Sequence, residues 1–403
     1  MVDEKLWNNE NWLVSEHNFA EEVTKNFNLA KKIQFHDSVL RDGEQAAGIV
    51  FRKDEKVAIA KMLDEIGMDR IEAGMPAVSP EDAEAIREIS ALGLKAKIMV
   101  FSRAMEADID KAVECGADGV VLEVPSAEIR FVNQFKWTGE QVIDRAVRGI
   151  SYAKEKGLFV NFFPYDTTRA KLPFLERLIT EAEKAGPPDS VTLVDTTSCS
   201  LPTTIKMIFD FMRGVTGLPL EIHTHNDFGL AVANSLAALE AGATVVHGCL
   251  LGLGERCGNA ALEEIAVCLR IMYGADIQWR FEKLYGICTE IARIANVKIG
   301  YQKPLIGDIP FTKESGLGMS VLFRKPTTTF ALNPKFIGRN FTVALGKKSG
   351  KESIEVKLDE IGVKANDEQI KEILAKVKQK SIDKKWLLSM DEFRETVREV
   401  TGK

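Results

Sequence analysis

The sequence predicts an α/β protein, a (β/α)8 TIM barrel followed by a C-terminal α+β subdomain. Eight short apolar runs recur about 20 to 40 residues apart, and amphipathic helical patterns separate them. Several runs follow a glycine that ends a helical pattern, as in LGLKAKIMV and AGATVVHG. Strands that alternate with helices form a parallel sheet, and eight such strands close into a barrel. An open doubly wound sheet is the alternative.

The predicted elements divide the chain into three segments. Residues 1–30 are expected to form a helical arm anchored by Trp7 and Trp12, 31–278 the catalytic barrel, and 279–403 the C-terminal subdomain. No separate regulatory domain is expected. The predicted strands are Lys32–Asp37, Arg70–Ala73, Lys95–Phe101, Gly119–Val124, Phe159–Tyr165, Ser190–Thr196, Leu218–His225 and Thr244–Leu250. The helices predicted beyond the barrel are 279–298, 351–363, 366–379 and 390–399.

Composition excludes several classes of partner. The 403-residue chain is 45% hydrophobic and carries a net charge of −6, which disfavours nucleic acid or a membrane surface as a partner. No stretch approaches the roughly 18 apolar residues that a membrane span needs. Its six cysteines include no CxxC pair, as is typical of free thiols in a reducing compartment, so a cytoplasmic protein is expected.

Polar residues at the ends of the predicted strands suggest a metal site. His223 and His225 are two apart on a strand, so their side chains point to the same face. Asp42, after the first strand, is the natural third ligand, and Asn259 is a candidate for the fourth. Such a mixed site suits Zn²⁺, Mn²⁺, Mg²⁺ or Fe²⁺. The alternative is a hydrogen-bonded pair of core histidines.

Arg41 precedes the proposed ligand Asp42, and its charge suits an oxyanion or enolate. The alternative is a salt bridge to Glu72 or Glu255, and both roles are compatible. The glycine-rich loop GLGERCGN is a further candidate, because its backbone can approach a phosphate or carboxylate. It matches neither the P-loop nor the dinucleotide fingerprint.

Four motifs occur in order at the predicted strand ends. They are FHDSVLRDGEQ, IEAGMPAVSPED, HTHNDFGLAVANSLAALEAGA and GLGERCGNAALEE. Together they strongly resemble the metal-dependent acyl-CoA Claisen condensation (DRE-TIM metallolyase) family, which includes the 2-isopropylmalate, homocitrate, citramalate and Re-type citrate synthases. Hydroxymethylglutaryl-CoA lyases and metal aldolases are more distant relatives. The resemblance covers about residues 30–275 and continues, more weakly, through NPKFIGRNFTVALGKKSGKESIEVKL.

The resemblance implies a role for each matching residue. Asp42, His223 and His225 would bind a divalent cation, expected to be Mn²⁺, Mg²⁺ or Zn²⁺, with Asn259 near it. Arg41 would contact the keto oxygen of a 2-oxo acid. The metal would act as a Lewis acid on that substrate.

The resemblance also implies roles around this centre. Glu72 would orient the arginine and Thr196 would contact the acceptor carboxylate. Gln45 and Arg169 are further candidate substrate-binding residues. A base would remove a methyl proton from acetyl-CoA, the enolate would attack, and thioester hydrolysis would drive the reaction.

The sequence departs from the family pattern in three places. Tyr165 stands where the synthases usually carry a glutamate, and Val121-Leu-Glu123 replaces a His-x-Thr of isopropylmalate synthases. The segment Lys313–Gly318 lacks both histidines of a family motif whose second histidine is thought to assist deprotonation. The candidates for the base are Tyr165, Asp166, Glu255, Lys313, Glu314 and Tyr301.

The expected function is therefore condensation of acetyl-CoA with a 2-oxo acid such as oxaloacetate, 2-oxoglutarate, pyruvate or 2-oxoisovalerate. Arg130 and Arg169 favour an acceptor with a second carboxylate. The catalytic residues are expected to be Arg41, Glu72, Tyr165 and Glu255. A metal-dependent carbon–carbon lyase or aldolase is the first alternative, and a non-catalytic binding protein is the second. By resemblance, a homodimer is expected, in which the subdomain reaches over its partner's barrel mouth.

Overall fold

A computed structural model describes residues 3–184, 186–316 and 318–402. In it, eight parallel strands form a closed barrel in chain order, so the predicted (β/α)8 fold is confirmed. The first strand closes the barrel by pairing with both the second and the eighth, and His36 lies opposite Arg70 and His247. The strands are β1 Gln34–Asp37, β2 Arg70–Glu72, β3 Lys97–Arg103, β4 Gly119–Pro125, β5 Phe159–Tyr165, β6 Ser190–Asp195, β7 Leu220–Thr224 and β8 Val245–Gly248.

Helices surround this barrel, and at least one follows each strand; β4 and β8 are each followed by two helices of this part of the chain. The helices of this part of the chain are α1 Glu21–Thr24, α2 Lys53–Ile66, α3 Pro80–Ser90, α4 Glu106–Glu114, α5 Glu128–Phe135, α6 Gly139–Glu155, α7 Leu172–Lys184, α8 Pro202–Val215, α9 Ala231–Glu240, α10 Leu262–Met272 and α11 Leu284–Ile294. Strands β6 and β7 are buried along their whole length, as expected for parallel strands covered by helices outside and side chains inside.

Local sequence explains where the helices begin and end. The Thr138 hydroxyl accepts a hydrogen bond from the Gln141 backbone N–H, and the Gln141 side-chain oxygen accepts one from the Thr138 backbone N–H, which caps the start of α6. Gly67 ends α2 with a φ of 109°, a left-handed conformation that favours glycine. The chain then turns directly into β2.

Side chains from neighbouring strands fill the barrel interior in layers. Phe101, Val121 and Phe163 come from β3, β4 and β5 and pack in one cluster. Residues two positions apart on a strand share a face, so Glu123 lies nearer the C-terminal mouth than Val121, and Tyr165 lies nearer to it than Phe163. The mouth of the barrel is where the polar strand ends converge.

The chain divides into two compact units, Met1–Glu16 with Ile299–Lys403, and His17–Lys298. These limits differ from the predicted 1–30, 31–278 and 279–403. The predicted helical arm is split between the units, and its first part forms 3-10 turns at Glu4–Leu6 and Glu16–Phe19 instead of a long helix. Trp12 is buried, bridges the backbone of Leu332 and packs edge-on against Phe336, so this segment belongs with the C-terminal residues.

The C-terminal unit is mostly helical. Ile354, Ile373 and Phe393 are fully buried at its core. Its elements are a parallel pair of two-residue strands, β9 Thr312–Lys313 and β10 Thr342–Val343, and the helices α12 Met319–Arg324, α13 Lys351–Glu360, α14 Asp367–Lys384 and α15 Met390–Thr401. Within the described ranges, no helix of either unit combines the length and apolarity needed to cross a membrane.

Candidate functional site

Three side chains converge at the mouth of the barrel. The Nε2 atoms of His223 and His225 lie 3.3 Å apart. Asp42 Oδ2 lies 3.7 Å from the first of these nitrogens and 3.8 Å from the second. All three residues are buried, and they form the one group of His, Cys, Asp or Glu side chains within the described ranges whose spacing suits a metal ion.

The charge state of this group suits a divalent cation. Burial lowers the pKa of His223 well below its ordinary value, and burial together with Arg256 and Arg41 lowers the pKa of His225. Burial opposes ionisation of Asp42, but Arg41 and the two imidazoles outweigh it and lower its pKa to about 2. Two neutral imidazoles and a carboxylate therefore face one point. A pair of imidazole nitrogens can share at most one hydrogen, whereas a cation between them would use both lone pairs and the carboxylate.

The loop after β8 closes over the carboxylate. The Glu255 backbone N–H donates to Asp42 Oδ1 over 3.2 Å. Gly254 has a φ of 150°, and a Cβ there would lie 2.2 Å from Asn259 Nδ2 and 3.0 Å from Asp42 Oδ1. The glycine is needed because the backbone packs directly onto these two side chains. The glycine-rich motif GLGERCGN therefore places its backbone against a carboxylate of the protein itself, that of Asp42.

Asn259 is placed beside the proposed ligands. Its backbone bridges that of His225, and its Nδ2 donates to the Leu253 carbonyl over 3.0 Å. Its buried Oδ1 has no hydrogen-bond partner among the described residues. A free amide oxygen at this place is suited to a cation or to a water on one.

Arg41 is held rigidly next to the ligand group. Its Nε and Nη2 donate to the two oxygens of Glu72 over 2.7 and 3.1 Å, and its Nη1 donates to Asp42 Oδ2 over 2.9 Å. Nη1 also donates to Gln45 over 3.2 Å, and the guanidinium carbon lies 4.7 Å from the centre of the Phe101 ring. Burial opposes ionisation of Glu72, but Arg41 outweighs it and lowers the pKa of that carboxyl. The two hydrogen bonds to Glu72 fix the orientation of the guanidinium, and the carboxylate balances its positive charge.

A buried polar network lies beneath the site, and sequence reasoning missed it. Ser38 donates to Glu72 over 2.5 Å, and His36 Nε2 lies 3.5 Å from the same carboxylate. The ring of His36 stacks on that of His247 with centroids 4.1 Å apart. His247 Nε2 lies 2.6 Å from Glu221 Oε2. The sequence contains a signal for it, since His36 on β1 and Ser38 directly after that strand are two positions apart and so point to the same face.

Tyr165 ends the fifth strand, and Thr196 follows the sixth. Tyr165 donates its hydroxyl to Gln134 over 3.1 Å, and burial together with Glu123 raises the pKa of this phenol. Thr196 Oγ1 accepts the Asp166 backbone N–H over 2.8 Å, so its own O–H remains available as a donor. Tyr165 is accordingly a hydrogen-bonding group and a poor base near neutral pH.

Both arginines expected to bind a second substrate carboxylate are already engaged. Arg130 Nε donates to Asp166 Oδ2 over 2.9 Å, and Arg169 Nε donates to Asp166 Oδ1 over 2.8 Å. Asp166 is fully buried, so its charge requires these partners. Both arginines are therefore bound to a carboxylate of the chain itself.

Glu255 is not brought into the cluster. Its side chain is 57% exposed and pairs with Arg256 Nη1 at 3.0 Å. Arg256 also donates to Asp227 Oδ1 over 2.8 Å and to the Thr196 carbonyl over 2.6 Å, which ties the loop to two neighbouring strand ends.

The base candidates beyond position 299 belong to the C-terminal unit. There, Glu314 Oε1 accepts the Lys348 backbone N–H over 2.8 Å. Tyr301 packs against Trp386 with ring centroids 5.4 Å apart. Lys313 lies on β9.

One residue at the mouth was noted in the sequence only as a departure from a family pattern. Glu123 lies on the inner face of β4, between the levels of Phe101 and Tyr165, and is half-buried. Counting by two from the buried Val121 would have placed it there.

Comparison with known proteins agrees with the geometry. The HMGL-like family matches residues 32–291, and the family described as homocitrate synthase post-HMGL domain-like matches residues 305–385. The homocitrate synthase AksA of Methanopyrus kandleri is 36% identical over 360 residues, 89% of this chain and 90% of the relative. The (R)-citramalate synthase CimA of Methanocaldococcus jannaschii is 38% identical over 371 residues, 92% of this chain and 75% of the relative.

Solved structures show the same fold at lower identity. The hydroxymethylglutaryl-CoA lyase of Bacillus subtilis matches with a TM-score of 0.61 and 19% identity, covering 68% of this chain and 97% of that one. The lyase of Pseudomonas aeruginosa matches with a TM-score of 0.61 and 20% identity over the same shares. At these identities the likeness concerns the barrel alone. The matches over the barrel and over the C-terminal segment, with relatives along most of the length, confirm the resemblance seen in the motifs: the chain belongs to the HMGL-like, DRE-TIM family of metal-dependent barrel enzymes.

Proposed function

We propose that this protein is an acyltransferase that condenses acetyl-CoA with a 2-oxo acid and hydrolyses the thioester. The products are a 2-hydroxy-2-alkyl dicarboxylate or tricarboxylate and free CoA. The observation that carries the proposal is the buried guanidinium of Arg41, fixed by Glu72 beside the group of Asp42, His223 and His225. The relatives named as homocitrate, citramalate and 2-isopropylmalate synthases support it.

Asp42, His223 and His225 would hold one divalent cation, with Asn259 as the candidate for a further contact. Mn²⁺, Mg²⁺ and Zn²⁺ are compatible with one carboxylate and two imidazoles. When bound, the cation supplies Lewis acidity toward the oxygens of the acceptor. All four side chains are buried, so they would hold it within a low-dielectric site.

Arg41 stabilises the negative charge that develops on the keto oxygen as the carbon–carbon bond forms. Its orientation is fixed before the substrate arrives, because Glu72 holds two of its nitrogens. The Thr196 hydroxyl, which accepts the Asp166 backbone N–H, has its own hydrogen free to donate to the acceptor carboxylate. These contacts orient the acceptor with its keto carbon toward the approaching enolate.

The reaction balances with one water. A C–H bond of the acetyl methyl breaks, the enolate carbon bonds to the keto carbon, and the keto oxygen takes a proton to become the hydroxyl. Water then cleaves the thioester and releases CoA as a free thiol. A lyase of the same fold would cleave a carbon–carbon bond without this hydrolysis.

A thiol-release assay tests the proposal. The protein with Mn²⁺, Mg²⁺ or Zn²⁺ is given acetyl-CoA and, in turn, oxaloacetate, 2-oxoglutarate, pyruvate and 2-oxoisovalerate, and mass spectrometry identifies the product. Release of CoA that depends on one acid is expected, with a product heavier than that acid by the elements of acetic acid. Absence of release with all four acids would refute the proposal, and cleavage of a 2-hydroxy acyl-CoA instead would establish the lyase.

We also propose that the chain acts as a homodimer. The support is the resemblance of 333–358 to the linker subdomain of the synthases and the match of residues 305–385 to a homocitrate synthase domain.

A further inference from the structure

A cavity of about 530 Å³ opens at the ends of β3, β4 and β5. Its wall is mostly apolar and aromatic, and includes Phe101, Phe135, Trp137 and Tyr165. Phe135 and Trp137 stack with ring centroids 4.4 Å apart, which makes this wall flat and firm. A cavity of this size and character suits an apolar group of several carbon atoms.

The cavity adjoins the candidate reaction centre. Phe101 forms part of its wall and also lies beneath the guanidinium of Arg41, 4.7 Å from ring centre to guanidinium carbon. One aromatic ring therefore separates the cavity from the group that would hold the keto oxygen. Of the two substituents on a keto carbon held by Arg41, the carboxylate is directed to Thr196 and the metal ligands. The other substituent is left to enter the cavity.

Glu123, on the inner face of β4, is the acidic residue in the wall of this cavity. Among the described residues its carboxyl has no hydrogen-bond or ion-pair partner, although Tyr165 lies beside it in the wall. Burial raises the pKa of Glu123 to about 7, with the charges of Glu72 and Asp42 acting in the same direction and those of Arg41 and Arg130 against it.

Three of the four arginines near the cavity are bound to carboxylates of the chain itself. Arg41 is committed to Glu72, and Arg130 is committed to the buried Asp166. Arg103 makes a two-nitrogen pair with Asp108 at 2.7 and 2.9 Å. Arg145 lies over the Trp137 ring, 4.1 Å from its centre. An acceptor with a distal carboxylate would thus meet an unpaired carboxyl in the wall.

We infer that Glu123 selects the acceptor: it excludes a second carboxylate, so that the substrates are 2-oxo acids with an uncharged, apolar side chain. This inference rests on the proposed condensation and narrows its substrate class. It also replaces the expectation of a dicarboxylic acceptor that Arg130 and Arg169 suggested, because both arginines bind Asp166.

The test compares two acceptors of similar size at pH 8.5, above the pKa of Glu123. 2-Oxohexanoate is uncharged at its far end and 2-oxoglutarate carries a carboxylate there. Thiol release with acetyl-CoA gives kcat/KM, and calorimetric titration without acetyl-CoA gives the Kd of each acid. The wild-type protein should prefer 2-oxohexanoate by at least ~10-fold in both quantities, because like charges in one site are strongly disfavoured.

Glu123→Gln removes the charge at nearly constant size and should improve kcat/KM and Kd for 2-oxoglutarate by ~10-fold, with little change for 2-oxohexanoate. Glu106→Gln is the matched control, because this exposed glutamate begins α4 outside the cavity wall. Equal thermal unfolding of the three proteins shows that the variants fold. A wild-type preference for 2-oxoglutarate, or equal changes for both acids in Glu123→Gln, would overturn the inference. Absence of thiol release with every 2-oxo acid would instead overturn the proposed condensation, and the inference with it.

Discussion

The role proposed for Arg41, stabilising negative charge on the keto oxygen, depends on Glu72, because this carboxylate fixes the orientation of the guanidinium. Glu72 binds two of its nitrogens in the fork geometry that only a guanidinium provides, and Ser38 donates to one oxygen of the same carboxylate. Lysine at position 41 would keep the charge but lose the paired contacts, so the charge would no longer be fixed toward the keto oxygen.

Arg41→Lys is therefore expected to lower kcat in the thiol-release assay by about 100- to 1,000-fold, the usual loss when one oriented donor is removed. Arg52→Lys, at an exposed position before α2, serves as the control and should keep wild-type kcat. Retention of more than half the activity in Arg41→Lys would contradict the assigned role.

The positions of some site residues can be predicted from the sequence, whereas the side-chain pairing of others cannot. Period-two alternation alone placed His223 and His225 on one face, and the barrel topology placed Asp42 near them, as the structure has them. The engagement of Arg169 with Asp166 was not predictable, because pairing between two loop residues depends on side-chain positions that no periodicity encodes. Glu123 departs from the family pattern, but its place on the inner face follows from its position two residues after the buried Val121 on β4.

At the scale of elements, the loop after β8 shapes the candidate metal site through its backbone. Gly254 has a conformation that other residues rarely adopt, and an added methyl would collide with Asn259. Gly254→Ala should weaken Mn²⁺ binding by at least ~10-fold, the usual cost of disturbing the groups that orient ligands. Calorimetric titration measures this. Gly286→Ala in α11, where a methyl meets nothing within 4 Å, is the control and should bind like the wild type. Equal affinity in both variants would exclude a role for this loop.

Three strands are joined by an ion-pair network inside the barrel. Arg70 Nη1 on β2 donates to Glu221 Oε1 on β7 over 2.8 Å, and His247 on β8 lies 2.6 Å from the other oxygen. Burial opposes ionisation of Glu221, but Arg70 and His247 outweigh it and lower its pKa below the ordinary 4.5. The ionised Glu221 carboxylate therefore stabilises the fold above pH 4.5, and this stabilisation is lost as the pH falls below that value.

Glu221→Gln should lower the free energy of unfolding at pH 7 by about 3–5 kcal/mol, because Arg70 is left buried without a countercharge. The difference from the wild type should shrink as the pH falls from 4.5 toward 3.5. Urea unfolding at pH 7, 4.5 and 3.5 measures both quantities. A difference that grows on acidification would contradict the sign of the linkage.

At the scale of the whole molecule, the eight-stranded barrel was predictable because regular alternation of strands and helices leaves few topologies. The limits of the two compact units could not be predicted from the sequence, because they depend on packing between residues far apart in the chain. Trp12 lies more than 300 residues before Leu332 and Phe336, and no local sequence pattern indicates that it contacts them. The helical prediction for the arm was wrong for the same reason, since its apolar residues serve that packing.

The proposed homodimer predicts a mass of about 89 kDa, twice the 44.7 kDa of one chain. Light scattering coupled to size exclusion measures it at several protein concentrations. The expected result is a mass near the dimer value that does not change on tenfold dilution. A mass near 45 kDa at every concentration would refute the dimer and leave the barrel site unaffected.

Every catalytic role proposed above depends on one cation bound by Asp42, His223 and His225. Calorimetric titration with Mn²⁺, Mg²⁺ and Zn²⁺ tests this most directly, with His225→Ala and Asp42→Ala as variants and the exposed His17→Ala as the control. One cation per chain should bind to the wild type and to His17→Ala, and affinity should fall by at least ~100-fold in the other two. No binding to the wild type, or equal binding to all four proteins, would contradict the account.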